Sequence, residues 1–363
     1  MDAVAQEYVR RLRLRRAALA EGVRQLHQRF VSPGPFLDAA YLARASLRHA
    51  YTAYYTPLHA LRVAALLNEM RAYTGAFLER DLDVVDFGAG TGAGILGLLA
   101  ALGDQEIAIR YTAVDHVRAV EEDLRRMVEI ACELWRPRAE TKVHFRTDLP
   151  RVPSRLVLLL HALTEIGTPQ IVEDLIVDVA HEAGYVVVME PATKEHTQRL
   201  QRLRDQWVAQ GYRIAAPCPA QARCPMRMRD DLWCHADVPW EWMGLTADLD
   251  RRAGLRKDSL KFSYMVLTRS GHSLVSRFGH VARVVSNVHA QKGKTWAEVC
   301  GPSPDLLRVE WLARARGPQT RDFAHARRGD TFAGFDYEDR GDYGRLRAAF
   351  RVARLSLPRA PRA

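Results

Sequence analysis

Residues Val84–Gly94 read VVDFGAGTGAG. A short β-branched run ends in Gly88, Gly90 and Gly92, and an apolar helical segment, Ala93–Leu102, follows at once. Glycines at a strand-to-helix turn let a ligand approach the backbone, and the helix N-terminus behind them favours a polar or anionic group. Asp86 lies just before the glycines. Asp115 closes the next β-branched run, IAIRYTAVD, 23 residues after Gly92. An acid there can accept from both hydroxyls of a ribose. A tight turn with no ligand is the plainer alternative.

Outward from this turn the period alternates. RLVLLL at Arg155–Leu160 and YVVVME at Tyr185–Glu190 repeat the β-branched pattern, with helical segments Arg118–Trp135 and Pro169–His181 between. Near-continuous apolar strands alternating with helices predict a mostly parallel sheet covered on both faces. After a polar helix at Lys194–Ala209, YRIAA and KFSYMVLTR can supply two more strands. The fold class is therefore α/β, a Rossmann-like sheet, over residues 81–270, with a cysteine-rich loop at 216–245 between the last two strands. Residues 1–80 read as a helical region. From Phe278, HVARVVSNV, TWAEVC and LLRVEWLA read as short strands followed by an arginine-rich tail, a small β unit over 278–363.

The 363 residues are 48% hydrophobic and 26% charged, enough for a substantial core and two or more domains. A formal charge of +10 favours a polyanionic partner, because each neutralised phosphate releases counterions. No uninterrupted apolar run is long enough to span a bilayer, so no membrane is expected. YVRRLRLRRAALAEGVRQL reads as one basic amphipathic helix that could lie on a membrane surface, on RNA or on its own domain. Five cysteines in a chain of this length make no disulfide framework, which predicts a reducing, cytoplasmic setting. The oligomeric state is not readable from the sequence.

The GxGxG spacing and the preceding Asp86 resemble Rossmann-like methyltransferases and favour S-adenosylmethionine over a dinucleotide, with Asp86, Gly88, Gly90, Gly92 and Asp115 as cofactor residues. Asp148 in FRTDLP, ending the third strand, could accept the adenine amino group. His161 and Glu165 in LLLHALTEIG stand on the usual substrate side. The Asn/Asp-Pro-Pro-aromatic stretch of amino-group methylases is absent, and Cys132 sits in a helical pattern, so no catalytic residue is assigned. Methyl transfer can proceed by positioning alone.

Three of the five cysteines fall in APCPAQARCPMRMRDDLWCHA, Ala216–Ala236. Cys218, Cys224 and Cys234, with the distant Cys300 before a Gly-Pro turn, make four thiolates suited to zinc or an iron–sulfur cluster. Pro219 and Pro225 stiffen the turns, and His235 is an alternative ligand. Unliganded cysteines are the other reading.

The pattern PCP…RCPM…WCH, then KFSYMVL and VC before a turn, resembles the bacterial and mitochondrial family of methyltransferase-like proteins associated with the small ribosomal subunit. The resemblance runs over most of Leu58–Phe332. It implies a 4Fe-4S cluster on Cys218, Cys224, Cys234 and Cys300, S-adenosylmethionine binding, and a role in small-subunit assembly or translation through rRNA. Arg10, Arg11, Arg13, Arg15, Arg16, Arg223, Arg227, Arg229 and the tail from Arg340 are then candidate phosphate contacts, and Trp233, Trp240 and Trp242 could stack on bases. The sequence departs from the family at MEPAT, where Ala192 replaces a glycine, at Ala236, where an aromatic residue is usual, and at HALTEI, where Thr164 replaces an asparagine. An active rRNA methyltransferase, and a small-molecule methyltransferase with a structural zinc site, are the competing readings.

Overall fold

The computed structural model describes residues 1–31, 39–148, 150, 154–163, 184–229, 231–241, 243–301 and 305–357. Thr164, Glu165, the helix expected at Pro169–His181, and Trp242 lie outside them.

Five strands run parallel: β1 (Leu82–Phe87), β2 (Ala108–Val114), β3 (Glu140–Arg146), β4 (Leu156–Leu160) and β5 (Tyr185–Pro191), in the order β3-β2-β1-β4-β5. Central β4 is LVLLL and buried throughout, whereas edge strand β3 alternates between exposed and half-buried residues. Burial on both faces calls for the continuous apolar run, and exposure of an edge relaxes it. Beyond β5 come β6 (Arg213–Ala216), β7 (Ala236–Pro239) and β8 (Ser259–Thr268). β8 pairs antiparallel with β5, and β7 and β6 share its outer edge, meeting its first and second halves. The cysteine segment is the excursion between β6 and β7.

Helices α1 (Asp2–Arg11), α2 (Arg16–Val31), α3 (Ala45–Ala50) and α4 (Thr56–Met70) share one apolar core with the sheet. α4 lies against α5 (Ala93–Leu102), where a Cβ on Gly97 would sit 2.5 Å from Val63, so the glycine sets how closely the two helices approach. The basic run expected as one helix is two. Arg13 adopts a left-handed φ of 52°, and the break lets α1 pack on α6 (Val120–Trp135) while α2 packs on α8 (Gly244–Ala253). Between α6 and α8 in sequence, α7 (Lys194–Ala209) covers the opposite face of the sheet with Leu200, Leu203 and Trp207.

The C-terminal strands are β9 (Val281–Val284), β10 (His289–Gln291), β11 (Lys294–Cys300), β12 (Leu306–Leu312), β13 (Thr331–Asp339) and β14 (Gly344–Ala353). They pair in the order β10-β11-β12-β14-β13-β9, and β11 also pairs with β9, which closes the sheet into a barrel around Val299, Val309, Phe323 and Phe332. The stretch expected as a basic tail from Arg340 is therefore a correction. GRLRAAFRVA is β14, whose Leu346, Ala349 and Ala353 are buried while Arg347 is exposed. Its arginines belong to a strand with one face in the barrel core, and that burial orders it.

One buried constellation ties the three regions together. Arg283 of β9 lies 3.4 Å from Glu69 of α4 and 5.3 Å from the ring of Tyr264 in β8, and Tyr264 donates its phenol proton to Glu69. Among the described residues no helix is long and apolar enough to cross a membrane.

Candidate functional site

Gly88, Gly90 and Gly92 all have positive φ (70°, 49° and 96°). A Cβ on Gly88 would stand 2.9 Å from that of Ala162 at the end of β4, so the turn is pressed against the neighbouring strand and only glycine suits it. Asp115, buried at the end of β2, fixes the loop: its Oδ2 accepts the Gly90 N–H at 2.9 Å and its Oδ1 accepts the Val117 N–H at 2.9 Å. Each oxygen keeps a further lone pair. Burial raises the Asp115 pKa, and the two backbone donors partly offset it. Asp86 is fully buried beneath the turn. Its Oδ2 accepts the Tyr111 hydroxyl proton, while Oδ1 has no partner among the described residues.

Burial lifts Asp86 from the ordinary 3.8 to about 7; the Tyr111 bond opposes this and Asp115 adds to it. Between those values the folded state holds a proton that the unfolded state has released, so stability falls as pH climbs through that window and is level above it. At about 1.4 kcal/mol per pH unit, the penalty approaches roughly 4 kcal/mol. Asp86→Asn keeps an acceptor for Tyr111 and removes the titration. In denaturant titrations of cofactor-free protein, the variant should match the parent near pH 4 and exceed it progressively up to pH 7. A constant offset across that range would refute the assignment.

The α3–α4 junction brings an aromatic tier that sequence patterning did not single out. Tyr51–Tyr55 forms one wider π-type turn, a local feature often found at functional sites. Tyr51 stacks on Tyr55 at 5.5 Å and Tyr55 on His59 at 6.0 Å, and His59 meets His161 at 4.1 Å. The Tyr51 ring edge lies 4.0 Å from where a Gly90 Cβ would be, and Thr56 and Thr91 hydroxyls meet at 2.5 Å. The signal was in YTAYYTPLH, with aromatic rings at positions 51, 54, 55 and 59 on helical spacing.

His161, at φ 59°, thus faces the tier rather than an open cleft. Burial, then Arg62 and His196, holds its pKa well below 6.5, so it is neutral. Asp148 is exposed and paired with Arg146 at 2.5 Å, and the Arg146 carbonyl accepts the Asp115 N–H at 3.0 Å.

Cys218, Cys224, Cys234 and Cys300 line one cavity between α7, β8 and the barrel. Burial, then Cys218 and Cys234, pushes Cys224 up to about 12. Burial, then Cys234, Cys218 and Cys224, raises Cys300 well above 9. Among the described residues, no three His, Cys, Asp or Glu side chains converge closely enough to hold a single metal ion. The four-ligand set expected from the sequence faces a common space without closing on one point. His235 is not on the cavity wall; its Nδ1 lies 3.3 Å from the Trp233 carbonyl.

Two residues missed by sequence reasoning hold the segment. Arg204 of α7 donates to the carbonyls of Ala220 and Ala222, and Asp205 accepts the Cys224 N–H at 3.1 Å and Arg227 at 2.7 Å. The Gln201 amide, also on the wall, is buried with no hydrogen-bond partner among the described residues. Trp233 donates to the Ala192 carbonyl at 2.9 Å, which links the segment to the end of β5.

The arginines divide. Arg10 and Arg11 both pair with Glu7, and Arg11 reaches Glu133 of α6 as well. Arg16 pairs with Asp248, Arg227 with Asp205, and Arg229 with Asp231 and Glu298. Arg13, Arg15 and Arg223 are exposed, with no ion pair among the described residues. Trp240 packs against the main core.

No curated protein matches the sequence. Solved structures with a similar chain path include a cyclopropane-fatty-acyl-phospholipid synthase-like protein from Lactobacillus casei, 12% identical over 59% of this chain and 91% of that one, at TM-score 0.33. A SAM-dependent methyltransferase from Geobacter sulfurreducens with S-adenosyl-L-homocysteine is 13% identical over 57% and 90%, at 0.33. Magnesium protoporphyrin IX methyltransferase from Synechocystis is 13% identical over 67% and 89%, also at 0.33. The family model described as mitochondrial small ribosomal subunit Rsm22 matches residues 45–333, from α3 through the sheet and the cysteine segment into β13. The chain belongs to the mitochondrial small ribosomal subunit Rsm22 family.

Proposed function

We propose that this protein is a small-subunit assembly or translation factor that binds rRNA, with S-adenosylmethionine at the glycine turn and a 4Fe-4S cluster on Cys218, Cys224, Cys234 and Cys300. The observation that carries the reading is the family match across both the sheet and the cysteine segment.

The residues at the turn suit the cofactor. Asp115 retains lone pairs for a ribose diol, the orphaned Asp86 oxygen lies under the turn, and Tyr51 offers an aromatic surface of the kind that attracts a sulfonium cation. When bound, S-adenosylmethionine supplies an electrophilic methyl group. The chain contributes binding and exclusion of water; the neutral His161 packed on His59 is poorly placed to take a proton, which favours a binding role over transfer.

Four thiols share one cavity, a donor set that suits zinc or a cluster, and the family resemblance favours the cluster. Arg204 and Arg283 on the wall would offset the negative charge of four thiolates. Of the candidate arginines, Arg13, Arg15 and Arg223 have no ion pair among the described residues and can meet phosphates.

One experiment separates the parts. Asp115→Ala should weaken S-adenosylmethionine binding by about 1.5–3 kcal/mol in calorimetry, roughly tenfold or more. Its co-sedimentation with small subunits should be unchanged, and should fall with salt at a logarithmic slope of about 0.7–0.9 per phosphate. Absence of any association by the parent protein would sink the ribosomal reading. Labelled methyl transfer to isolated subunits would favour the rRNA methyltransferase instead.

A further inference from the structure

The barrel strands form the circuit β9-β11-β12-β14-β13-β9. β12 and β14 run parallel, through Val309–Gly344 and Glu310–Arg345, and the other pairs in the ring are antiparallel. Numbered within the ring, this is first-second-third-fifth-fourth-first, with the third and fifth strands parallel. That is the connectivity of an OB-fold barrel, in which the outer face of the second and third strands, between the first-to-second and fourth-to-fifth loops, is the surface for oligonucleotides.

Here that face is β11 and β12. Their alternation sends Ala297, Val299 and Val309 into the core and leaves the opposite face to exposed Arg308, half-buried Trp296 and Glu310, buried beneath its cations. His289, from the hairpin strand β10, lies parallel to Trp296 at 4.0 Å and 12°, and the Arg308 guanidinium lies over the Trp296 ring at 4.3 Å. His289 and Arg308 come from strands on opposite sides of β11, so the three planar groups form a column across the face. The exposed His289 is its open end. Glu310 takes Arg308 and Lys294, both at 2.9 Å, which holds the cations in place. At the fourth-to-fifth loop, Arg345 donates to the Tyr343 hydroxyl at 3.0 Å, adding a second cation–aromatic pair. Aromatic rings interleaved with cations on a barrel face suit unpaired bases on a phosphate chain, since every base offers a π-face. A duplex hides those faces.

We infer that the C-terminal barrel binds single-stranded RNA across β11 and β12, with a base stacking on the His289–Trp296–Arg308 column. The inference rests on the ribosomal reading for the choice of RNA and adds the element and the strandedness.

The test uses the full chain and a labelled single-stranded RNA of about 12 nucleotides, within the span of one such barrel. His289→Ala, which removes the base's platform, and Trp296→Ala, which removes the ring that holds His289 flat, should each weaken binding roughly 5- to 100-fold, as expected for loss of one base stack, and Trp296→Phe should restore most of the latter. The double variant His289→Ala/Trp296→Ala should be weaker still, and a duplex of the same length should bind the parent less well. Thermal melts of each variant exclude misfolding, and ultraviolet crosslinks from the parent should map to β10–β12. If the parent binds subunits and RNA but Trp296→Ala and the double variant bind the single strand equally well, the barrel assignment is wrong and the ribosomal reading survives. If the parent binds neither subunits nor RNA, the ribosomal reading itself fails.

Discussion

Arg283→Met should destabilise the protein by about 3–5 kcal/mol, because it leaves the Glu69 carboxylate buried without its cation. Both side chains are essentially inaccessible, at 2% and 0% exposure, so water cannot take over the missing partner. Burial works to lower the Arg283 pKa, but Tyr264 and Glu69 outweigh it and the guanidinium stays charged. Burial raises the Glu69 pKa even with Arg283 present, and removal of the arginine raises it further. A raised carboxyl pKa costs stability as pH climbs above the unfolded value, so the loss should be largest at neutral pH and shrink toward pH 4. Denaturant unfolding at several pH values measures this. Adding Glu69→Gln should recover much of the loss, since a neutral amide can still face Tyr264 and carries no charge to bury. A single-variant cost below about 1 kcal/mol, or no recovery in the double variant, would show that the pair is not what joins α4, β8 and the barrel.

If the proposed cluster is present, Cys224→Ser should abolish it. Protein purified without oxygen should hold about four irons per chain, with labile sulfide and broad absorption near 400 nm, and the variant should hold almost none. Soluble yield should fall with it, because the proposed ligands come from the β6–β7 excursion and the end of β11, so a filled site would join sheet to barrel. Cys132→Ser is the control: Cys132 is half-buried in α6, away from the cavity, and its loss should leave iron unchanged. Zinc at about one per chain without sulfide would replace the cluster with a mononuclear site. With Cys224 held up near 12, loading must expel protons, so reconstitution of the metal-free protein should speed up as pH rises.

The α/β alternation was legible because burial on both faces writes continuous apolar strands, as in β4 and β5, and because a strand-to-helix turn needing positive φ writes glycines. Asp86 and Asp115 could be marked from their places at strand ends. What those acids do locally could not. That Asp115 ties down Gly90 and Val117, and that Asp86 sits under the turn with one oxygen unpaired, depends on how close the strands lie. Arg11 reads as a basic surface residue in sequence, yet α1 lies on α6 and places Glu133 beside it.

The meeting of His161 with His59, the buried Glu69–Arg283 pair and the barrel's closure have a common reason for escaping the sequence. Each joins residues far apart in the chain, and local periodicity reports only which face of an element is buried, not what it is buried against. The sequence alone determined the sheet, its glycine turn and which cysteines are candidate ligands. The tertiary structure decided that Cys300 lines the same cavity as the other three, because the return of β11 to β9 carries the end of β11 to the cysteine segment.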